Sequence, residues 1–143
     1  MKSLRQLLDE KGNVIHSVAP GDTVLKALDV MARHDIGALL VRENGRPVGM
    51  FSERDYARKV ILQGKASKDT LVREVMSERL IYVPLSQTVE ECLAIMTNRH
   101  IRHLPVLDEA GELAGFLSIG DLVKETISQQ KFIIEQLEHY ITH

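Results

Sequence analysis

Apolar residues fall at Val24, Ala27, Leu28 and Met31, an i, i+3, i+4, i+7 spacing that predicts one stripe of an amphipathic helix. The same stripe returns about 65 residues later as Val89, Cys92, Leu93 and Met96. Thr88 and Glu91 have capping-box spacing, whereas Asp22-Thr23 offers an N-cap with no acidic partner. The first stripe is followed by a short apolar run, Ile36 to Val41, then by Glu43-Asn44-Gly45 and a second run, Val48 to Phe51. Asn-Gly between two such runs predicts a β-hairpin. In the second copy the paired strands are His103 to Leu107 and Leu113 to Leu117, and Pro105 predicts that the first of these is an edge strand or is irregular. A further helix is expected to open at Asp55 and run toward Gln63, and its counterpart to open at Asp121.

The correspondence extends over Val18 to Asp55 and Val83 to Asp121. It ends in Gly49-Met50-Phe51-Ser52-Glu53-Arg54-Asp55 and Gly115-Phe116-Leu117-Ser118-Ile119-Gly120-Asp121, with one residue inserted near Ala110. Two copies of one supersecondary unit imply a two-fold arrangement with paired, related clefts. The polar stretch Gly64 to Asp69 reads as a linker, and Leu71 to Met76 as the lead into the second copy. Leu122 to Ile141 contains no Gly or Pro and predicts one long helix. Its stripe of Ile127, Ile134, Leu137 and Ile141, with Gln130 at the remaining seam position, is read as core or dimer contact. The expected divisions are 1–70 for the first repeat with an N-terminal extension, 71–127 for the second, and 128–143 for a helical extension.

Composition narrows the class. A chain of 143 residues with 44% hydrophobic content builds a core, and three Phe, three Tyr and no Trp make it aliphatic. A net charge of −2 argues against a general grip on nucleic acid. One cysteine excludes an intramolecular disulfide and fits a reducing compartment. Met1 to Asp9 is amphipathic and charged rather than a signal sequence, and no apolar run reaches the roughly 20 residues of a membrane span. The expectation is a soluble, cytoplasmic protein.

The doubled Gly-x-x-Ser-x-x-Asp, the doubled Thr-Val helix ending in Met, the segment His100 to Val106 and Val72-Arg73-Glu74-Val75-Met76 together resemble the tandem cystathionine-beta-synthase (CBS) domain pair, or Bateman module. The resemblance covers nearly the whole chain. It implies an α/β (α+β) fold of two β-α-β-β-α repeats about a pseudo-two-fold axis, with adenine nucleotides in the clefts and flat dimers. It also implies a regulatory role, since many members are regulatory tails on enzymes, channels or kinases; here the expectation is a module with nothing else attached.

The residues suit such a ligand. A carboxylate accepts hydrogen bonds from both hydroxyls of a ribose, so Asp55 and Asp121 fit that role, with Ser52 and Ser118 for ribose or phosphate. Each pair lies at a strand-to-helix junction that favours an anion. The alternative is that each Asp is an ordinary N-cap and each Ser supports the turn. Adenine needs apolar walls and backbone groups, which Ile36, Gly37, Ala38, Met50, Phe51 and Val18 to Pro20 supply, unless these are simply core. The second copy carries Ile101-Arg102-His103 where the first has Ile36-Gly37-Ala38, and Phe116 where the first has Met50. Arg102 and His103 are placed to reach a phosphate, against the readings of a surface ion pair and a satisfied half-buried histidine. Arg54, Arg58 and Lys59 enrich the first site, whereas the second keeps only Lys124, so the first is expected to prefer the larger or more phosphorylated ligand.

Catalytic and metal readings find less support. His100 and His103 do not share a face, His139 and His143 lie at the terminus without a third ligand, and Cys92 sits on the apolar stripe. No Walker loop or Gly-x-Gly-x-x-Gly is present. The leading expectation is a non-catalytic sensor of AMP, ATP or NAD, homodimeric and acting on an unidentified protein through a ligand-dependent conformational change, with no catalytic cofactor, nucleic acid or membrane partner. The alternative is a scaffold of the same fold without a ligand, and the third a nucleotide-converting enzyme.

Overall fold

The computed structural model describes residues 1–12 and 14–142. In chain order they form α1 (Leu4–Lys11), β1 (Ser17–Val18), α2 (Val24–His34), β2 (Ala38–Glu43), β3 (Arg46–Ser52), α3 (Glu53–Asp55) continued by a π-helical turn (Tyr56–Ile61), and α4 (Val72–Val75). Then follow β4 (Val83–Pro84), α5 (Val89–Arg99), β5 (His103–Leu107), β6 (Leu113–Ser118) and α6 (Ile119–Thr142). The chain divides into two units, one running from Val14 to Ile81 and the other joining the N-terminal segment to Tyr82 onward.

Each unit carries one β-α-β-β-α repeat around a three-stranded sheet, β1-β2-β3 or β4-β5-β6, whose first pair is parallel and second antiparallel. The registers coincide position for position: Val18 pairs with Val41 as Val83 does with Val106, and Ala38 pairs with Ser52 as His103 does with Ser118. Thr23 and Thr88 cap α2 and α5 by accepting from the N–H of Lys26 and Glu91. Both helices end on a non-glycine residue in the left-handed region, Asp35 at φ 51° and His100 at φ 56°.

The apolar face of each helix closes over its own sheet. In the first unit Val24, Ala27 and Met31 pack with Leu39, Val41, Phe51 and Val60. In the second the equivalent Val89, Cys92, Met96, Leu104, Val106 and Leu117 are likewise buried. Val18, Ala38 and Phe51, read as ligand walls from the sequence, are buried core residues, so only their backbone is left to meet a ligand. Burial pushes the Cys92 thiol up to about 11, with the Glu91 charge adding to it, which makes it a core residue rather than a nucleophile.

Several expectations change. Pro105 lies in the central strand of its sheet rather than at an edge, and the irregularity expected as the alternative is present close by, as a register shift between Val106 and Leu107. Its ring is tolerated because β4 pairs only with Val106 and Leu107, leaving position 105 beyond its end. Toward β6, Pro105 faces Phe116, whose carbonyl points outward to the Lys11 ammonium, so this is a pair that exchanges no ladder hydrogen bonds. The expected helices open two residues early, at Glu53 and Ile119, because serine rather than aspartate is the cap.

The lead-in segment behaves differently as well. Leu71 to Met76 folds back on the first unit. Val72 and Arg73 donate to the carbonyls of Asp22 and Pro20, and Ser77 exchanges two hydrogen bonds with Met50 on the open edge of β3. The N-terminal helix does the equivalent for the second unit. Leu4-Arg5-Gln6-Leu7-Leu8 parallels Val72-Arg73-Glu74-Val75-Met76. Gln6 closes a capping box with Ser3, Glu74 accepts from the Leu71 N–H at the same position, and Leu8 and Met76 cover Gly115 and Gly49 respectively. The long helix is as expected; from Ile127 onward its described side chains are exposed apart from Gln129.

Candidate functional site

The two Ser-x-x-Asp motifs occupy the junction where the last strand of each sheet becomes a helix. Ser52 Oγ accepts from the Asp55 N–H at 3.2 Å, and Asp55 Oδ2 accepts from the Ser52 N–H at 3.0 Å and from its hydroxyl at 3.1 Å. In the second unit Ser118 Oγ accepts from the Asp121 N–H at 3.2 Å while Asp121 Oδ2 accepts from the Ser118 N–H at 2.8 Å. Each pair is therefore a reciprocal capping box, with serine at the cap and aspartate in the first turn, where the helix dipole favours its charge.

Each carboxylate also holds a lysine. Lys59 Nζ lies 3.1 Å from Asp55 Oδ1 and donates to the Val75 carbonyl at 3.2 Å. Lys11 Nζ lies 2.8 Å from Asp121 Oδ2 and donates to the Phe116 carbonyl, also at 2.8 Å. Burial pushes the Asp121 carboxyl up. The hydrogen bonds from Lys11 and Ser118, with the Lys11 charge, outweigh burial and hold it below its ordinary value. Lys11 was not among the expected site residues. The signal for it is the N-terminal copy of the Val72 to Met76 segment, which sets α1 against the second sheet.

The sheet register brings the proposed adenine segments to the same place. Ala38 is the partner of Ser52, and the Gly37 carbonyl accepts from the Glu53 N–H at 3.0 Å. His103 is the partner of Ser118, and the Arg102 carbonyl accepts from the Ile119 N–H at 2.8 Å. Beside Ile36 and Gly37 lies a depression of about 410 Å3 whose wall also includes Leu28, Met31, Asp35 and Glu53. Pro20 is half-buried and spends its carbonyl on α4, while Met50 spends its backbone on Ser77.

Charge is distributed unevenly. Arg54 and Arg58 are exposed on the first helix turns after β3, and Arg102 is exposed before β5. His103 is half-buried and stacks on Phe116 with ring centroids 5.3 Å apart. Burial, with the nearby Lys11 and Arg102 charges and against the pull of Asp121, lowers its pKa to about 4. It is neutral at pH 7, so it meets an anion only as an N–H donor and Arg102 carries the charge. Ile101 is half-buried and Lys124 exposed. His143 lies outside the described residues, so its spacing with His139 has no structural counterpart here. The first helix also departs from its repeat, passing into the π-helical turn over Tyr56–Ile61 where the second continues as regular α-helix. Such turns often accompany functional sites.

The repeat, the matched registers and the paired Ser-Asp boxes agree with the pattern of the CBS domain family, which matches residues 11–61 and 72–128. The chain belongs to the CBS domain family. It is similar to the mitochondrial CBS domain-containing protein CBSX3 of Arabidopsis thaliana, 38% identical over 84% of this chain and 60% of the relative. An uncharacterised protein of Methanopyrus kandleri is 33% identical over 74% of this chain and 55% of the relative. The chain thus spans little more than half of each of these two proteins. Among solved structures, a protein with CBS domains from Burkholderia ambifaria is 46% identical, with a TM-score of 0.85 over 90% of this chain and 96% of that one. A CBS domain protein from Pyrobaculum aerophilum, solved in complex with AMP, is 25% identical, with a TM-score of 0.73 over 84% and 89%.

Proposed function

We propose that this CBS pair is a non-catalytic regulatory module that binds an adenine nucleotide (AMP, ATP or NAD) at the strand-to-helix junctions of its two repeats. One observation supports this above the rest. Both repeats set a Ser-Asp box directly beside the first residues of the central strand, which joins a diol acceptor to a backbone edge able to read a base. A relative of the same fold is complexed with AMP. In this reading Asp55 and Asp121 take the ribose hydroxyls, Ser52 and Ser118 support them, and Ile36, Gly37, Ile101 and Phe116 flank the base. Arg54 and Arg58 or Arg102 meet the phosphates, with the His103 N–H assisting. Ligand then biases one of two conformations by its differential affinity, and an unidentified protein, cytoplasmic like the module, reads the difference. The exposed stripe of α6 joins two copies into a homodimer.

A specific observation favours the alternative, a scaffold without a ligand: each carboxylate is already satisfied by a cap and a lysine. Thermal melting with AMP, ATP and NAD separates the two. A nucleotide present at 100 times its dissociation constant adds ~2.7 kcal/mol to stability. Asp55→Ala and Asp121→Ala each remove one binding event in titration calorimetry. No shift with any of the three nucleotides would refute the sensor and leave the scaffold.

A further inference from the structure

Asp55 and Asp121 are equivalent in the repeat but are held from different distances. Lys59, which reaches Asp55, stands one turn further along the same helix. Lys11, which reaches Asp121, closes α1 and lies 110 residues away in sequence. α1 is seated on the second unit by the Lys2 N–H on Glu125 at 3.4 Å, by buried Leu4, Leu7 and Leu8, and at its last residue by the Lys11 ammonium. In the first unit the corresponding segment is fixed through backbone hydrogen bonds between Met50 and Ser77 instead.

We propose that Lys11 is a displaceable gate on the second site: a nucleoside whose vicinal diol takes the Asp121 carboxylate unseats Lys11 and with it the end of α1. The inference rests on the reading of Asp121 as a diol acceptor and adds the regulation of that site. A vicinal diol donates two hydrogen bonds and competes for both carboxylate oxygens. Asp121 Oδ2 already accepts from the Ser118 N–H and from Lys11. The N–H belongs to the cap and stays with the helix. The ammonium is the donor that can leave, because its side chain is 39% exposed and water replaces both of its partners. The leucines keep α1 docked while its last turn loosens. Lys59 also reaches a neighbouring segment, at the Val75 carbonyl, but it stands on the helix that bears Asp55, and backbone hydrogen bonds from Val72, Arg73 and Ser77 keep the α4 segment fixed when the lysine leaves. Occupancy of the second site, and not of the first, is thereby reported to the N-terminal helix.

The test uses the full chain with Asp55→Ala, so that only the second site titrates, and AMP as the probe. Adding Lys11→Met should tighten AMP binding about two- to fivefold, the equivalent of an exposed ion pair no longer broken on binding. Lys11→Arg, which keeps the charge, should return the affinity to its starting value. AMP should also speed amide hydrogen exchange over Leu4–Lys11 in the chain that retains Lys11. Unchanged or weaker binding by Lys11→Met, with binding still lost on Asp121→Ala, would overturn the gate while leaving the diol acceptor in place. AMP binding that survives Asp121→Ala would remove the acceptor and the gate together.

Discussion

Replacing Gly49 with alanine places a methyl group 2.7 Å from Met76 Sδ and 2.9 Å from the Ser77 carbonyl oxygen. The thioether can turn aside; the carbonyl cannot, because Ser77 is fixed to the β3 edge by its two hydrogen bonds with Met50, at 2.8 and 2.9 Å. Relief requires the segment after α4 to move off the edge. Losing both bonds costs about 1 kcal/mol each, and crowding of this kind typically costs about 1–3 kcal/mol, so a total of roughly 3–5 kcal/mol is expected. Gly115→Ala is the internal control. Its nearest contacts are all with the side chain of Leu8, which can change rotamer or shift with α1, so a loss of about 1–2 kcal/mol is expected. Urea denaturation of both variants, followed by circular dichroism, gives the two free energies. Gly49→Ala within 0.5 kcal/mol of the parent, or no more destabilised than Gly115→Ala, would refute the claim that a backbone bridge closes the first edge and a side chain the second.

Three further outcomes follow from the same geometry. The unfolded chain takes up a proton at His103 as pH falls below 6.5, whereas the folded chain resists until about 4, so stability should fall by roughly 2–3 kcal/mol across that window; His103→Gln should flatten that part of a pH–stability profile, leaving the Asp121 contribution, which disappears only below its ordinary range near 3.8. Arg54→Ala should weaken ATP or NAD binding more than AMP binding in titration calorimetry, and equal losses would assign Arg54 to folding or to the adenosine part. Truncation after Ser128 removes Ile134, Leu137 and Ile141, each 53% or more exposed; sedimentation should show a weaker dimer with nucleotide binding retained, and a full-length monomer at tens of micromolar would refute the dimer.

The repeat was legible because its signals are local and were printed twice: a 3.6-residue stripe, an alternating hairpin, and a shared Ser-x-x-Asp. What escaped depended on partners distant in the chain. Pro105 reads as an edge residue by its missing N–H, and only the shortness of β4 and the outward carbonyl of Phe116 make it acceptable in a central strand. The Leu71 to Met76 lead-in reads forward into the second repeat, yet its buried face matches the first sheet; the spacing to its N-terminal copy is 68 residues, not 65, which hides the relation from a search at one fixed offset.

The same distinction bears on the site. Ser52 and Ser118 were expected as ligand groups or turn supports and the aspartates as ligand groups or caps, and in the structure each Ser-Asp pair forms the cap in full, with both donors and acceptors engaged. A capping box holds its carboxylate in place whether or not a ligand is present, so the acceptor is preorganised and a diol need not order it on binding. The cap is in place, and the proposed anchor would use the same geometry. If a nucleotide diol takes these carboxylates as proposed, its competitor is the lysine rather than the cap: at the first site a side chain that rides on the aspartate's own helix, at the second one that belongs to α1. Two repeats that match in register, core and cap can therefore answer the same nucleotide with different mechanical consequences.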